Sequence, residues 1–117
     1  MNTYETLILV TVPPYQQRRS EEILEAIMSL ALFDRDHAVI FWDQGLAWLT
    51  PEQQPSKGKS LSRQLEALPL YGSDALFFCQ QHRAAVLGDQ PIADTIEPIS
   101  LTDIAMLMRQ SRYVEVF

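Results

Sequence analysis

The feature that most constrains the fold is an unbroken apolar run at residues 38–42, followed at once by Asp-Gln-Gly at 43–45. The run is rich in β-branched and aromatic residues and too short for a helix, and a turn signal ends it. A strand that is apolar on both faces belongs to a parallel sheet covered by helices on both sides. Because such sheets bind ligands and partners at the carboxyl ends of their strands, the turn at 43–45 is our reference point.

Other segments alternate between strand and helix signals. Apolar runs at 6–12 and 75–78 predict two more buried strands, and the second delivers Cys79 at its carboxyl end. Residues 94–99 predict a weaker strand, which Pro98 excludes from the centre of the sheet, and residues 113–117 predict a final strand.

The helix signals lie between these strands. A helix capped by Ser20 is predicted to run to about Phe33, with a very broad apolar stripe, and the others are predicted at 60–68, at 80–87 and after a capping Thr102. Residues 46–49 predict a helical turn, and 50–58, rich in Pro, Gln and Ser, predict a loop. The alternation predicts one α/β domain over residues 1–117, with a right-handed, doubly wound sheet of four or five strands.

The charge and the cysteine count limit the classes of function. The formal net charge of −6 provides no basic field for a phosphate backbone, so we expect no direct contact with nucleic acid. A single cysteine excludes an internal disulfide and suits a reducing compartment. With no signal-peptide pattern and no apolar segment long enough to span a bilayer, the sequence predicts a cytoplasmic protein.

Cys79 is the strongest candidate for chemistry, and it has two interpretations. At the junction of a strand and a helix, its sulfur could lie at the positive end of a helix dipole, which favours the reactive thiolate, and His82 could reach it from one helical turn away. Alternatively, Cys79 is a small buried apolar side chain, as free cysteines commonly are.

The other polar candidates are weaker. His37 opens a strand and is expected at the surface or at an edge, and Asp43 either forms the turn or directs a carboxylate at a site, with the turn favoured. No glycine-rich phosphate loop, nucleophile elbow or zinc-ligand spacing occurs, so neither a cofactor nor a metal is predicted.

Two features suggest an interaction surface. Trp42, Trp48 and Tyr71 are expected in or beside loops at the carboxyl edge of the sheet, where aromatic side chains suit a partner, although Trp42 could equally close the core. The stripe on the helix over 20–33 is so broad that another subunit could be needed to cover it.

These segments together resemble a known family. The features are Pro14-Tyr15 after the first strand, Glu22-x-Leu24-Glu25-Ala26 in the helix, Asp43-x-Gly45-Leu46-x-x-Leu49 followed by Gln53, Leu68-x-Leu70-Tyr71, and a closing Val114-x-Val116-Phe117. This pattern, spread over nearly the whole chain, is similar to that of the DsrE/DsrF-like family, and within it to the TusC/DsrF branch.

The resemblance implies a flavodoxin-like, three-layer α/β/α sandwich with a mainly parallel five-stranded sheet. It also implies a cytoplasmic heterohexamer with TusB-like and TusD-like subunits that relays persulfide sulfur to a TusE-like acceptor for 2-thiouridine at the tRNA wobble position. In the related DsrEFH complex, the same arrangement serves sulfur oxidation. On this basis we expect Tyr15, Asp43, Trp48 and Tyr71 at subunit interfaces.

In the family, the sulfur-carrying cysteine ends the third strand of the DsrE/TusD-type subunit, and Cys79 matches that position. The TusC/DsrF branch is generally a structural partner, so the favoured interpretation is a non-catalytic subunit of a sulfurtransferase complex. Three alternatives remain: Cys79 itself carries persulfide, the chain is a DsrF-like subunit of a sulfur-oxidation complex, or the domain binds a small molecule as flavodoxins do.

Overall fold

Two strands that are buried at every position form the centre of the molecule. The computed structural model, which describes residues 2–15, 18–50 and 61–117, pairs β1 (Thr6–Val10) in parallel with β2 (His37–Phe41). The register runs from Thr6 opposite His37 to Val10 opposite Phe41. Since neither strand exposes a face to water, both sides of the sheet must be covered.

The remaining strands extend this pair into a five-stranded sheet in the order β4-β3-β2-β1-β5, and each pairing in it is parallel. The other strands are β3 (Leu76–Cys79), β4 (Glu97–Ile99) and β5 (Tyr113–Val116), and the helices are α1 (Arg18–Leu32), α2 (Leu61–Ala67), α3 (Arg83–Val86) and α4 (Leu101–Gln110). Short 3₁₀ segments occupy Asp43–Leu49, Leu68–Tyr71 and Gln80–His82.

The strand order explains the three layers. The chain advances in one direction from β1 to β4 and then returns across the whole sheet to β5. Right-handed crossovers therefore place α4 on the opposite face from the earlier helices. The predicted α/β/α sandwich is confirmed. None of the helices in the described part of the chain combines the length and apolar character that a bilayer span requires.

Helix α1 covers one face with its broad stripe. Ile23 and Ile27 are completely buried, while Leu32 at the end of the helix is 65% exposed and Phe33, just after it, is 77% exposed. The chain itself thus covers most of the stripe and leaves its carboxyl end open to solvent.

Both predicted helix caps are wrong. Helix α1 begins at Arg18, so Ser20 lies inside the helix and is buried. Helix α4 is capped by Ser100, whose hydroxyl accepts a hydrogen bond from the N–H of Asp103 at 3.1 Å, and Thr102 lies within the first turn. A serine at the end of a strand can accept from the third following N–H, and this geometry selects Ser100.

The helix predicted at 80–87 is divided into a 3₁₀ segment and the short α3, and Gly88 ends it in a left-handed conformation (φ 59°). The predicted turn at 46–49 is part of the longer 3₁₀ segment Asp43–Leu49. Of the loop predicted at 50–58, only Thr50 belongs to the described residues, and the predicted helix start at position 60 also lies outside them.

The sequence predicts His37 at the surface or at an edge, but in the structure the side chain is buried, with 7% exposure. Its Nδ1–H donates to the carbonyl oxygen of Arg35 and its Nε2 accepts from the Ser73 hydroxyl, both at 2.8 Å. Because a carbonyl only accepts, these partners fix the tautomer. The imidazole thereby joins the start of β2 to the turn before β3.

His37→Ala should lower the free energy of unfolding by about 2 kcal/mol, since it leaves the buried Ser73 hydroxyl and the partly buried Arg35 carbonyl without this partner. Ser73→Ala alone should cost about 1 kcal/mol. In urea unfolding, the double variant should lose less than the sum of the two, and strict additivity would show that the bond contributes nothing.

Tyr4 provides a prediction at alkaline pH. Burial raises the pKa of Tyr4 above 10.0, with smaller contributions from Asp36, Asp74 and Glu97, against the opposing hydrogen bond with the Asn2 side chain. The unfolded chain therefore ionises first, so the stability from the neutral phenol is complete below pH ~10 and is lost as pH rises through the folded pKa. Unfolding between about pH 8 and about pH 11 should show this decline in the native chain and a smaller one in Tyr4→Phe.

Candidate functional site

The carboxyl edge of the sheet is closed by a close backbone approach. The 3₁₀ segment after β2 passes under the end of β1, and a Cβ at Gly45 would lie 1.8 Å from the carbonyl oxygen of Val10. That same oxygen accepts a hydrogen bond from the N–H of Trp42 at 2.9 Å. Only glycine fits at position 45, because any side chain would have to push the two backbones apart.

Asp43 begins this segment in a left-handed conformation, with φ 55°. Aspartate tolerates that conformation better than most residues, so the turn interpretation of Asp43 is confirmed. Its side chain is exposed, while its backbone N–H donates to Nδ1 of His82 at 2.9 Å. Asp43 and His82 follow neighbouring strands, and this contact joins the two loops.

His82 is the residue at this edge whose role was misjudged from sequence. Its ring lies parallel to the Trp42 indole, within 1°, with centroids 6.0 Å apart, and Nε1–H of Trp42 points at Nε2 from 3.3 Å. A nitrogen–nitrogen contact of that length at that centroid separation means that the rings lie edge to edge. Both imidazole nitrogens therefore face N–H donors, and neither faces Cys79.

A neutral imidazole has a single acceptor nitrogen, so it cannot satisfy both donors at once. The contact with Asp43 is the shorter, which assigns the lone pair to Nδ1. Nε2 then carries its own hydrogen towards that of Trp42. The imidazole of His82 therefore accepts from Asp43 but not from Trp42. The Nε1–H of Trp42 has no acceptor within this pair.

Cys79 ends β3 as predicted, and its side chain is completely buried. The thiol donates to the side-chain oxygen of Gln81 at 3.9 Å, and the same oxygen accepts from the N–H of Leu101 at 3.2 Å. The 3₁₀ segment that follows has three residues and therefore supplies little dipole. In the described structure the Cys79 thiol is therefore packed and shielded from solvent, with an amide oxygen as its hydrogen-bond partner.

Trp48 was expected at a partner surface, and this placement is wrong. The indole is fully buried, and its Nε1–H donates to the Val12 carbonyl at 2.9 Å. The long 3₁₀ segment turns the side chain under the sheet beside Phe41, with ring centroids 6.4 Å apart. Trp42, by contrast, is only partly buried.

Tyr71 is exposed, at 53%, but it lies at the opposite edge from the predicted one. It ends the 3₁₀ segment Leu68–Tyr71, which leads into the amino end of β3 beside Ser73 and the buried His37. A segment that precedes a strand must lie at the amino end of that strand, whatever its residue composition. Tyr15, 41% exposed with φ 63°, does follow β1 at the carboxyl edge.

Several exposed apolar residues lie at the amino edge, where the sequence pattern did not predict them. They are Leu32 and Phe33 at the end of α1, and Leu70, 86% exposed, next to Tyr71. Their position in the sequence is the signal that could have identified them, since each lies within two residues of the end of a helical segment that leads into the next strand. Among the described residues, no group of three or more His, Cys, Asp or Glu side chains is arranged to hold a metal.

Substitutions at His82 should separate its two contacts. His82→Asn keeps an oxygen near the Nδ1 position for the N–H of Asp43, whereas His82→Gln places one nearer Nε2. We expect Asn to retain more stability than Gln, and His82→Ala to lose about 1–2 kcal/mol, with red-shifted emission from Trp42 in a Trp48→Phe background. Equal stability of the three variants would contradict a structural role for this ring.

Comparisons with known proteins agree with this geometry. The profile of the DsrE/DsrF-like family matches residues 5–116. A protein described as a TusC homolog, from Pseudomonas aeruginosa, is 29% identical over 113 residues, covering 94% of this chain and 93% of the relative. The crystal structure of the YchN protein from E. coli has a TM-score of 0.83 at 17% identity, covering 98% of this chain and 100% of that one, and shows the shared fold. The chain belongs to the DsrE/DsrF-like family.

Proposed function

We propose that this chain is a TusC-like subunit of a sulfur-relay complex and that it contributes docking surface rather than the sulfur-carrying thiol. Family membership and the TusC homolog support the relay. The observation that carries the division of labour is the burial of Cys79, whose sulfur has no exposed surface.

The chemistry explains why burial matters. In persulfide transfer, the acceptor thiolate attacks the terminal sulfur of a donor persulfide, the donor leaves as a thiolate, and the acceptor becomes the persulfide. This attack requires an accessible sulfur and a proton acceptor. The Cys79 thiol is inaccessible, and its hydrogen-bond partner is an amide oxygen, which is not a base.

The sister subunits in this proposal are TusB-like and TusD-like, with the chain in a heterohexamer and a TusE-like protein as the acceptor. The exposed apolar residues at the amino edge, Leu32, Phe33, Leu70 and Tyr71, are candidates for contact with them. The net charge of −6 supports a chain that serves tRNA thiolation in the cytoplasm without binding the tRNA.

The direct test loads the co-expressed complex with an isotope-labelled persulfide donor and identifies by mass spectrometry the cysteine that gains sulfur. We expect the label on the TusD-like subunit, and we expect the Cys79→Ala complex to transfer sulfur within about twofold of the native rate. Cys79→Ser is the matched variant, because it keeps a donor for Gln81. Loss of transfer in both variants, with the complex still assembled, would make Cys79 the carrier.

A second test addresses the pathway. Deleting the chain from its source organism should lower 2-thiouridine in tRNA, and Cys79→Ala should restore it, whereas Leu70→Glu combined with Tyr71→Glu should not. Co-purification of the TusD-like subunit reports whether the glutamate variant has lost assembly. Unchanged 2-thiouridine with impaired sulfur oxidation would instead place the chain in a complex of the DsrEFH kind.

A further inference from the structure

The outer edge of β5 presents unpaired backbone groups. β5 is the last strand of the described sheet, paired with β1 alone. The N–H groups of Tyr113 and Phe117 donate to β1, at 2.9 Å to Glu5 and 2.8 Å to Leu9. Since alternate residues of a strand bond to opposite sides, the N–H and C=O groups of Val114 and Val116 point away from the sheet.

The two edges of the sheet differ in their protection. β4 has three residues and carries Pro98, which lacks an N–H and discourages further pairing. β5 contains neither proline nor lysine, and all four of its residues are exposed, with Val114 at 36% and Val116 at 59%. Such an edge is a ready template for another strand.

A groove lies beside this edge. It runs between the end of α1 and the start of β5, has a volume of about 730 Å³, and is lined by Leu30, Phe33, Arg35 and Tyr113 among others. A strand added to β5 would place alternate side chains over it. The groove and the free backbone groups together suit an extended segment better than a helix or a flat surface.

Charge argues against a second copy of this chain as the occupant. The antiparallel two-fold pairing that sets Val114 opposite Val116 of the other copy would place Glu115 directly opposite Glu115, and like charges in that position are destabilising. The register centred on Val114 would instead set the charged Arg112 opposite the apolar Val116. Arg112 lies at the start of β5, with its guanidinium 5.3 Å from the centre of the Tyr113 ring, and has no ion-pair partner among the described residues. An occupant with an acidic residue beside Arg112 and a basic residue beside Glu115 complements this pattern.

The geometry points to an extended segment of a different protein that adds to β5 as a sixth, antiparallel strand. Its β-branched residues lie opposite Val114 and Val116, its basic residue opposite Glu115 and its acidic residue opposite Arg112. An antiparallel edge strand on a parallel sheet is common, and antiparallel pairing is slightly the stronger. The inference does not depend on sulfur relay.

The probe is the blocked peptide Thr-Val-Lys-Val-Thr-Glu, whose two valines meet Val114 and Val116 in the antiparallel register. Its matched control, Thr-Val-Glu-Val-Thr-Lys, has the same composition with the charges exchanged. In chemical-shift titrations of the isotope-labelled chain, the first peptide should perturb the amides of residues 113–116. The control should bind about threefold to tenfold more weakly.

Backbone methylation distinguishes strand addition from simple occupation of the groove. Methylating the amide nitrogens of the two valines should weaken binding at least about tenfold, while methylating those of the lysine and the middle threonine should change it little. Val114→Pro removes only an outward N–H and should have the same effect as methylating the valines. If Val114→Pro does not fold, Val116→Pro replaces it as the test variant. The methylated peptides test the same point on the native chain.

Three results would overturn the inference. One is the absence of shifts at millimolar peptide. Another is equal sensitivity to the two methylation patterns, which would indicate binding without strand pairing. The third is a concentration-dependent dimer of the chain alone that Val114→Pro abolishes, which would make a second copy the occupant.

Discussion

The contact on which the carboxyl edge depends is the approach of Gly45 to the end of β1. The Val10 carbonyl oxygen receives the N–H of Trp42 and tolerates no side chain at position 45. With the chain held there, the 3₁₀ segment folds back under the sheet and buries Leu46, Trp48 and Leu49. The absence of a side chain at Gly45 therefore determines the positions of several large side chains, because close packing allows the segment only this path. The contact between His82 and Asp43 then joins the next loop to the same segment.

This arrangement leaves the two edges of the sheet unequal. At the carboxyl edge, the Trp48 indole and the Cys79 thiol are both buried, and the exposed large apolar side chains of the described residues there are Tyr15 and Leu101, at 41% and 40%. At the amino edge, Phe33 and Leu70 are exposed. The outer side of β5 is not paired with another strand of the described sheet. In parallel α/β sheets, ligands bind at the carboxyl ends of the strands. In this structure, the exposed apolar residues Phe33 and Leu70 lie at the other end, where they resemble the apolar core of a protein interface.

Most of the fold could be predicted from sequence, because strands buried on both faces leave an unambiguous apolar run and the helices between them keep their period. The details that failed share one physical cause, namely dependence on distant neighbours. Ser100 and Thr102 are equally suitable residue types for the cap of α4, and the observed start of the helix selects Ser100. His37 became buried because Ser73, distant in sequence, supplies a partner. Trp48 followed the fold of the segment around it. Tyr71 is the exception, because it precedes the predicted strand at 75–78 and the order of the segments in the sequence already assigns it to the amino edge.

The pairing of β1 with β5 has a consequence for how the molecule opens. The side chain of Thr11 donates to the carbonyl of Phe117 at a sequence separation of 106, so closing this side of the sheet carries the entropy of a very long loop. We expect β5 to dock late in folding and to detach first in the native state, with amide hydrogens that exchange faster than those of β2. A strand that detaches and returns easily could also be exchanged between neighbouring molecules, so we expect misassembly of this chain to take the form of β5 swapping.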